Sequence, residues 1–106
     1  MLLNELVVVT GEVAATRSRL AKVDALAALL RRLAADEVVP AVGLVLGAPR
    51  QGRLGVGWRS VSAIIGDPAS APSLTIAQVD AAFDRLAAAE GSGSTAGRAA
   101  ILRELM

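Results

Sequence analysis

The sequence predicts an all-α fold, a bundle of about six helices with no significant sheet. Three observations predict it. Alanine and leucine dominate, at 22 and 15 of the 106 residues, and both favour helix. Aromatic residues make up 2% of the chain, only Trp58 and Phe83, whereas strands favour aromatic and β-branched side chains. Apolar residues recur at spacings of three and four rather than two, the period of a helix face. With 54% hydrophobic and 20% charged residues the chain can bury a core, which excludes wholesale disorder. Residues 1–106 are enough for a single helical domain or a part of one.

The elements follow in order. Leu2, Leu6, Val9 and Val13 mark one face of a first helix, Leu2 to about Ala15. Thr16-Arg17-Ser18-Arg19 is a polar break in which the Ser18 hydroxyl can accept a free amide of the next helix. From Arg19 to Ala34, Leu20, Val23, Ala27, Leu30 and Leu33 form one face, widened by Leu26 and Leu29. Arg31 and Arg32 suit the carbonyl end of that helix. Asp36, Glu37 and Pro40 suit the start of a third helix that stops at Gly47. This one is apolar nearly all round and is expected to be the central buried element. Gly47 to Gly57 reads as a loop, followed by a short helix from Trp58 to Ile65 and a second loop through Pro68 and Pro72. Thr75-Ile76-Ala77-Gln78 is a capping box, with Leu74 and Val79 placed as a hydrophobic staple. Ile76, Val79, Phe83 and Leu86 form the stripe of the helix it starts, which ends near Glu90 with Gly91 behind it. The last helix, Thr95 to Met106, is built on Ile101, Leu102 and Leu105 and carries its apolar face to the final residue, as in a chain cut within a larger domain.

Cysteine and histidine are absent. This excludes disulfides, Cys/His metal sites and any Ser-His or Cys-His nucleophile pair within the chain. No catalytic residue is assigned. The start, Met1-Leu2-Leu3-Asn4-Glu5, lacks the basic opening of a signal peptide. The longest uncharged stretches, Val38–Pro49 and Pro68–Val79, are 12 residues each, too short to span a bilayer. A soluble cytoplasmic protein without a membrane partner is expected. Net charge is +1, yet ten of the eleven basic residues are Arg, the better bidentate phosphate ligand.

Gly52-Arg53-Leu54-Gly55-Val56-Gly57 reverses the dinucleotide fingerprint, and no strand precedes it, so a Rossmann site is set aside. Arg50, Arg53 and Arg59 flank these glycines, and no acid occurs between Glu37 and Asp67. Exposed amides with three guanidiniums suit a phosphate backbone; a solvated basic loop is the plainer alternative. Ser92-Gly93-Ser94-Thr95 before the last helix, with Arg98 one turn in, offers amides to an anion or simply a glycine stop and a serine cap. Asp80 and Asp84 read as solvated acids on an outer helix face. Lys22-Val23-Asp24-Ala25 looks like an altered K-x-D-G nucleotidyltransferase motif but lies in a helical pattern, where Lys22 is an ordinary exposed lysine.

Three stretches together resemble the N-terminal DNA-binding domain of bacterial, actinobacterial-type ATP-dependent DNA ligases. Thr16-Arg17-Ser18-Arg19-Leu20 through Leu30 is similar to the family's serine-arginine lead into a leucine-rich helix. Gly52 to Gly57 is similar to its L-G-V-G segment. Leu74-Thr75-Ile76-Ala77-Gln78-Val79 through Gly91-Ser92-Gly93-Ser94 is similar to its L-T-x-x-x-V helix and G-S-G-S turn. The resemblance implies a helical module that grips nicked double-stranded DNA on its sugar-phosphate backbone, joined in cis to adenylation and oligonucleotide-binding domains. It implies ATP and magnesium for the parent enzyme and no cofactor in this chain, which lacks the adenylation lysine motif and is about the first half of the family's domain. Alone it would not seal a nick. The DNA contacts implied are Arg50, Arg53 and Arg59, the Gly55 and Gly57 amides, and Ser94 with Arg98, without sequence readout. Two further expectations stand beside this. The apolar faces would support self-association, and they equally suit a small helical interaction or dimerisation module with no nucleic-acid role.

Overall fold

A computed structural model describes all residues, Met1–Met106. Six helices follow one another: α1 (Leu3–Ala15), α2 (Arg19–Arg32), α3 (Val38–Leu46), α4 (Trp58–Ser62), α5 (Ile76–Ala88) and α6 (Ser94–Leu105), with a 3-10 turn at Ala35–Glu37. There is no strand, only one isolated bridge between Leu2 and Thr75. The all-α expectation is met.

The starts and stops form where local chemistry placed them. Ser18 Oγ accepts the Ala21 amide at 3.2 Å and opens α2. Gly47 ends α3 at φ 69°. At α5 the capping box closes in both directions, the Gln78 amide donating to Thr75 Oγ1 at 3.1 Å and the Thr75 amide to Gln78 Oε1 at 2.8 Å. That same corner holds the N-terminus. The Leu3 amide donates to Leu74 O and the Ile76 amide to Met1 O, at 2.8 and 3.0 Å.

Two small cores result, and α5 runs through both. Leu6, Val9, Leu29, Ala41 and Ile76 form the first, between α1, α2, α3 and the start of α5. Ala82, Leu86, Ile101 and Leu102 form the second, where Leu54, Val56, Val61 and Ile64 pack on α5 and α6. The molecule is elongated, 49 × 29 × 23 Å, with a radius of gyration of 15.2 Å; a compact chain of this length has about 13 Å.

Two expectations are corrected here. First, α2 does not bury the face of Leu20, Val23, Ala27, Leu30 and Leu33. Leu29 is its one buried residue, and Ala25, Leu26 and Leu33 pack beside it, whereas Leu20, Val23 and Leu30 are 77%, 55% and 45% exposed. The helix has two apolar stripes, and α1 and α3 cover only one. Second, α3 is not central. It buries its small residues Pro40, Ala41 and Gly43 and leaves Val39, Val42 and Leu46 exposed. Gly43 explains this orientation. The loop folds back over it, with the Ala48 amide donating to Gly43 O at 2.8 Å, and a Cβ there would lie 2.8 Å from Ala48 O. Minor shifts accompany these: α2 ends at Arg32 rather than Ala34, and α4 at Ser62 rather than Ile65.

Candidate nucleic-acid interface

The glycine-rich loop is held at both ends by tertiary contacts. At its start, Arg50 forms a two-pronged pair with Asp80, Nε to Oδ1 at 3.1 Å and Nη2 to Oδ2 at 2.9 Å, and also reaches Asp84 Oδ1 at 2.6 Å. Gln51 Nε2 adds bonds to Asp80 O, Asp80 Oδ1 and Asp84 Oδ1. The Arg50 guanidinium, followed by Gln51, holds the Asp80 carboxyl below its ordinary range, and burial only partly opposes this. Arg50 is therefore neutralised by α5 and fastens the loop. The acid-free stretch around it in sequence does not persist in space, because α5 brings Asp80 and Asp84 to it. These two acids are not free solvated groups either.

At the other end, Gly55 sits at φ +72° against Arg98. A Cβ at Gly55 would lie 3.1 Å from Cζ, Nε and Nη2 of that guanidinium. Arg98 Nη2 donates to Ala89 O at 2.5 Å and Nη1 to Ser94 Oγ at 3.4 Å, while its Nε is buried without an acceptor. Arg98 thus ties the end of α5, the start of α6 and the loop together, yet meets no carboxylate and keeps its charge. Ser94 is not the cap of α6; that position belongs to Gly93, at φ 80°, with no side-chain cap. Gly57 is extended, at φ −122°, and a Cβ would meet nothing within 4 Å, so its backbone needs no glycine.

Between α4 and α6 lies a cleft of about 270 Å³, lined by Gly55, Ser60, Thr95, Arg98, Leu102 and Arg103 among others and by no acid. Arg53 and Arg59 are exposed beside the lining residues Gly55 and Ser60 in the chain. Arg53, Arg59, Arg98 and Arg103 enter none of the molecule's ion pairs. The structure thus brings Gly55, Ser94 and Arg98 together and takes Arg50 away from them. It lines the cleft with Thr95 of the hydroxyl-rich stretch and adds Arg103, which sequence reasoning missed. Arg103 stands four residues after Ala99 and eight after Thr95, on the helix face that Thr95 and Arg98 begin, and that spacing was the available signal.

No three His, Cys, Asp or Glu side chains converge on a possible metal position. No helix is long and apolar enough to cross a membrane.

Fold and cleft together define a class: a small all-α module with a carboxylate-free, arginine-lined cleft. Its sequence is similar to one segment of proteins named Probable DNA ligase. It is 62% identical over 105 residues to that of Pseudarthrobacter chlorophenolicus, covering 99% of this chain and 21% of the relative. It is 49% identical over 108 residues to that of Saccharopolyspora erythraea (100% and 21%), and 51% identical over 105 residues to that of Beutenbergia cavernae (99% and 20%). The chain therefore spans about a fifth of the length of the curated relatives it matches. No family model and no solved structure matches it.

Proposed function

We propose that this chain is the N-terminal part of the DNA-binding module of an ATP-dependent DNA ligase, and that it holds the backbone of nicked duplex DNA without reading sequence. The observation that carries this is the 62% identity, over 99% of the chain, to a segment of a protein named Probable DNA ligase. The cleft supports it physically. Unpaired guanidiniums around an acid-free surface suit phosphates, which position a protein but carry no sequence information. A nick occurs in any sequence, so that mode fits the task.

In this reading Arg53, Arg59 and Arg103 meet phosphates. Arg98 holds Gly55 against α6, and its charge adds to the field of the cleft. The Gly55 amide and Ser94 lie beside it. Arg50 has no phosphate role. ATP, magnesium and the sealing chemistry belong to other segments of the longer protein, which act in cis, in the cytoplasm.

The test is binding of a nicked duplex, followed by fluorescence anisotropy across a salt series. If three to five phosphates are neutralised, log K falls against log salt with a slope of roughly −3 to −4.5. Arg53→Ala and Arg59→Ala should each flatten that slope by about one unit, on any DNA sequence. Binding unchanged in both variants would remove these residues from the interface. Absence of salt-dependent binding would leave the interaction-module reading, which the exposed apolar residues of α2 favour.

A further inference from the structure

We propose that the indole of Trp58 stacks on a base face opened at a strand break, and that this contact makes the chain prefer nicked over continuous duplex DNA. The proposal rests on the DNA-binding reading above and deepens it. Phosphates line nicked and continuous duplexes alike, so guanidiniums by themselves do not tell the two apart. A base face does. In a continuous duplex it is covered by its neighbours and is reached only by unstacking a step. At a nick one strand has lost its covalent tie, and the step opens at lower cost.

The position of Trp58 carries the proposal. It is the chain's one tryptophan, a residue type that is highly buried on average, yet it is 76% exposed. The large exposed valines and leucines all lie on α1, α2 and α3, whereas Trp58 stands in the arginine-bearing segment. Local packing turns it outward. Leu54, Val56, Val61 and Ile64 go into the second core, and Arg53, Gly55, Gly57, Trp58 and Arg59 are left exposed. Gly55 and Gly57 thus leave a strip of bare backbone between Arg53 and Trp58, at most about 18 Å from end to end. Gly57 is glycine although its backbone is extended and a Cβ there would meet nothing within 4 Å. Nothing within the chain requires that missing side chain; a ligand drawn close beside Trp58 does. Charge complementarity selects a nucleic acid as that ligand. Arg53 and Arg59, on either side of Trp58 in the chain, enter no ion pair, and no acid occurs between Glu37 and Asp67. The acids that α5 brings to this segment, Asp80 and Asp84, are bonded to Arg50. Stacking also suits a contact without sequence readout, because every base has a π face to offer.

Two dumbbell duplexes of one sequence test the contact, each closed at both ends by hairpin loops so that no duplex end is free. One is sealed and the other carries a single nick. Each is titrated against the full chain at low salt. Anisotropy of the labelled DNA reads binding, and tryptophan emission reads stacking at Trp58, since the chain holds no other tryptophan and no tyrosine. The nicked form should bind more tightly and quench the emission strongly, the sealed form weakly. Trp58→Ala should lower affinity for the nicked form about tenfold, the loss of one base–aromatic stack, and erase the preference. The salt slope and the urea midpoint should stay unchanged, because neither a charge nor a buried contact is removed. Trp58→Phe, which keeps a π face, should retain most of the preference, and Trp58→Leu, which is apolar without one, should lose it. Equal binding of the two forms, or a preference that survives Trp58→Ala or Trp58→Leu, would overturn the stacking role and leave the DNA-binding reading intact. Binding of neither form would overturn both and leave the indole to a protein partner.

Discussion

Arg50 and Arg98 show how one residue type serves two ends. Arg50 is matched by Asp80 and Asp84 and fastens the loop to α5. Arg98 meets only a carbonyl and a hydroxyl and remains a charge beside the cleft. Arg50→Ala should therefore lower stability modestly, because the pair is exposed to solvent, while leaving the salt slope of DNA binding unchanged. Chemical denaturation and anisotropy on the same sample check both parts, and a flattened slope would return Arg50 to the interface. Gly55→Ala tests the other end. An alanine at φ +72° is strained, and its Cβ would press on the Arg98 guanidinium. We expect a loss of about 1–3 kcal/mol, read from the urea midpoint. Gly57→Ala, at an open extended position, should cost far less. The glycines looked equivalent in sequence, because a positive φ and a neighbour's guanidinium are tertiary facts.

Among the elements, α5 has the most to hold. It supplies Ile76 to one core and Ala82 and Leu86 to the other, and Ile76 with Leu74 just before the helix makes the bonds to the N-terminus. Its start was legible because a capping box is local chemistry: Thr75 and Gln78 satisfy each other's amides within four residues. Thr75→Ala should cost about 1 kcal/mol in thermal or urea unfolding and should loosen both cores together. Unfolding in which only one core responds would show that α5 does not couple them. By contrast, which face α2 buries was not legible. Two adjacent apolar stripes satisfy the same periodicity, and the choice fell to α1 and α3, which cover Leu29 and leave Leu20 and Val23 outside. The interior place expected for α3 failed for a similar reason. Its small residues admit close packing against the returning loop at Gly43, and this turns Val39 and Val42 outward.

Across the whole molecule, carboxylates join helices that already pack together, α1 to α2 and α5 to α6, and fasten the N-terminus and the glycine-rich loop. The Leu2 amide and then Arg32 hold Glu5 below its ordinary pKa. The N-terminal ammonium, with the Ala34 amide, does so for Glu37. Arg50 acts on Asp80 and Arg85 on Glu104. A carboxyl depressed in the folded state contributes stability that is present above its unfolded pKa and lost as pH falls through the folded one. The melting temperature should thus be flat from neutrality to roughly pH 5 and fall steadily below about pH 4.5. A thermal melt series from about pH 3 to 7 checks this, and a melting temperature that rises on acidification would contradict it.

Composition and periodicity by themselves determined the class of fold, the number of helices and most of their ends. Helix formation, capping and glycine stops are settled within a few residues of chain. They also marked the loop and the α6 start as the region of interest, since clustered arginines are visible in one dimension. Only the tertiary structure decided which of those arginines stays unpaired, which stripe of α2 faces water and that Arg103 joins Arg98 in one cleft. Each depends on what a distant segment brings alongside, and residues 30 apart in sequence, such as Arg50 and Asp80, carry no local sign that they will meet.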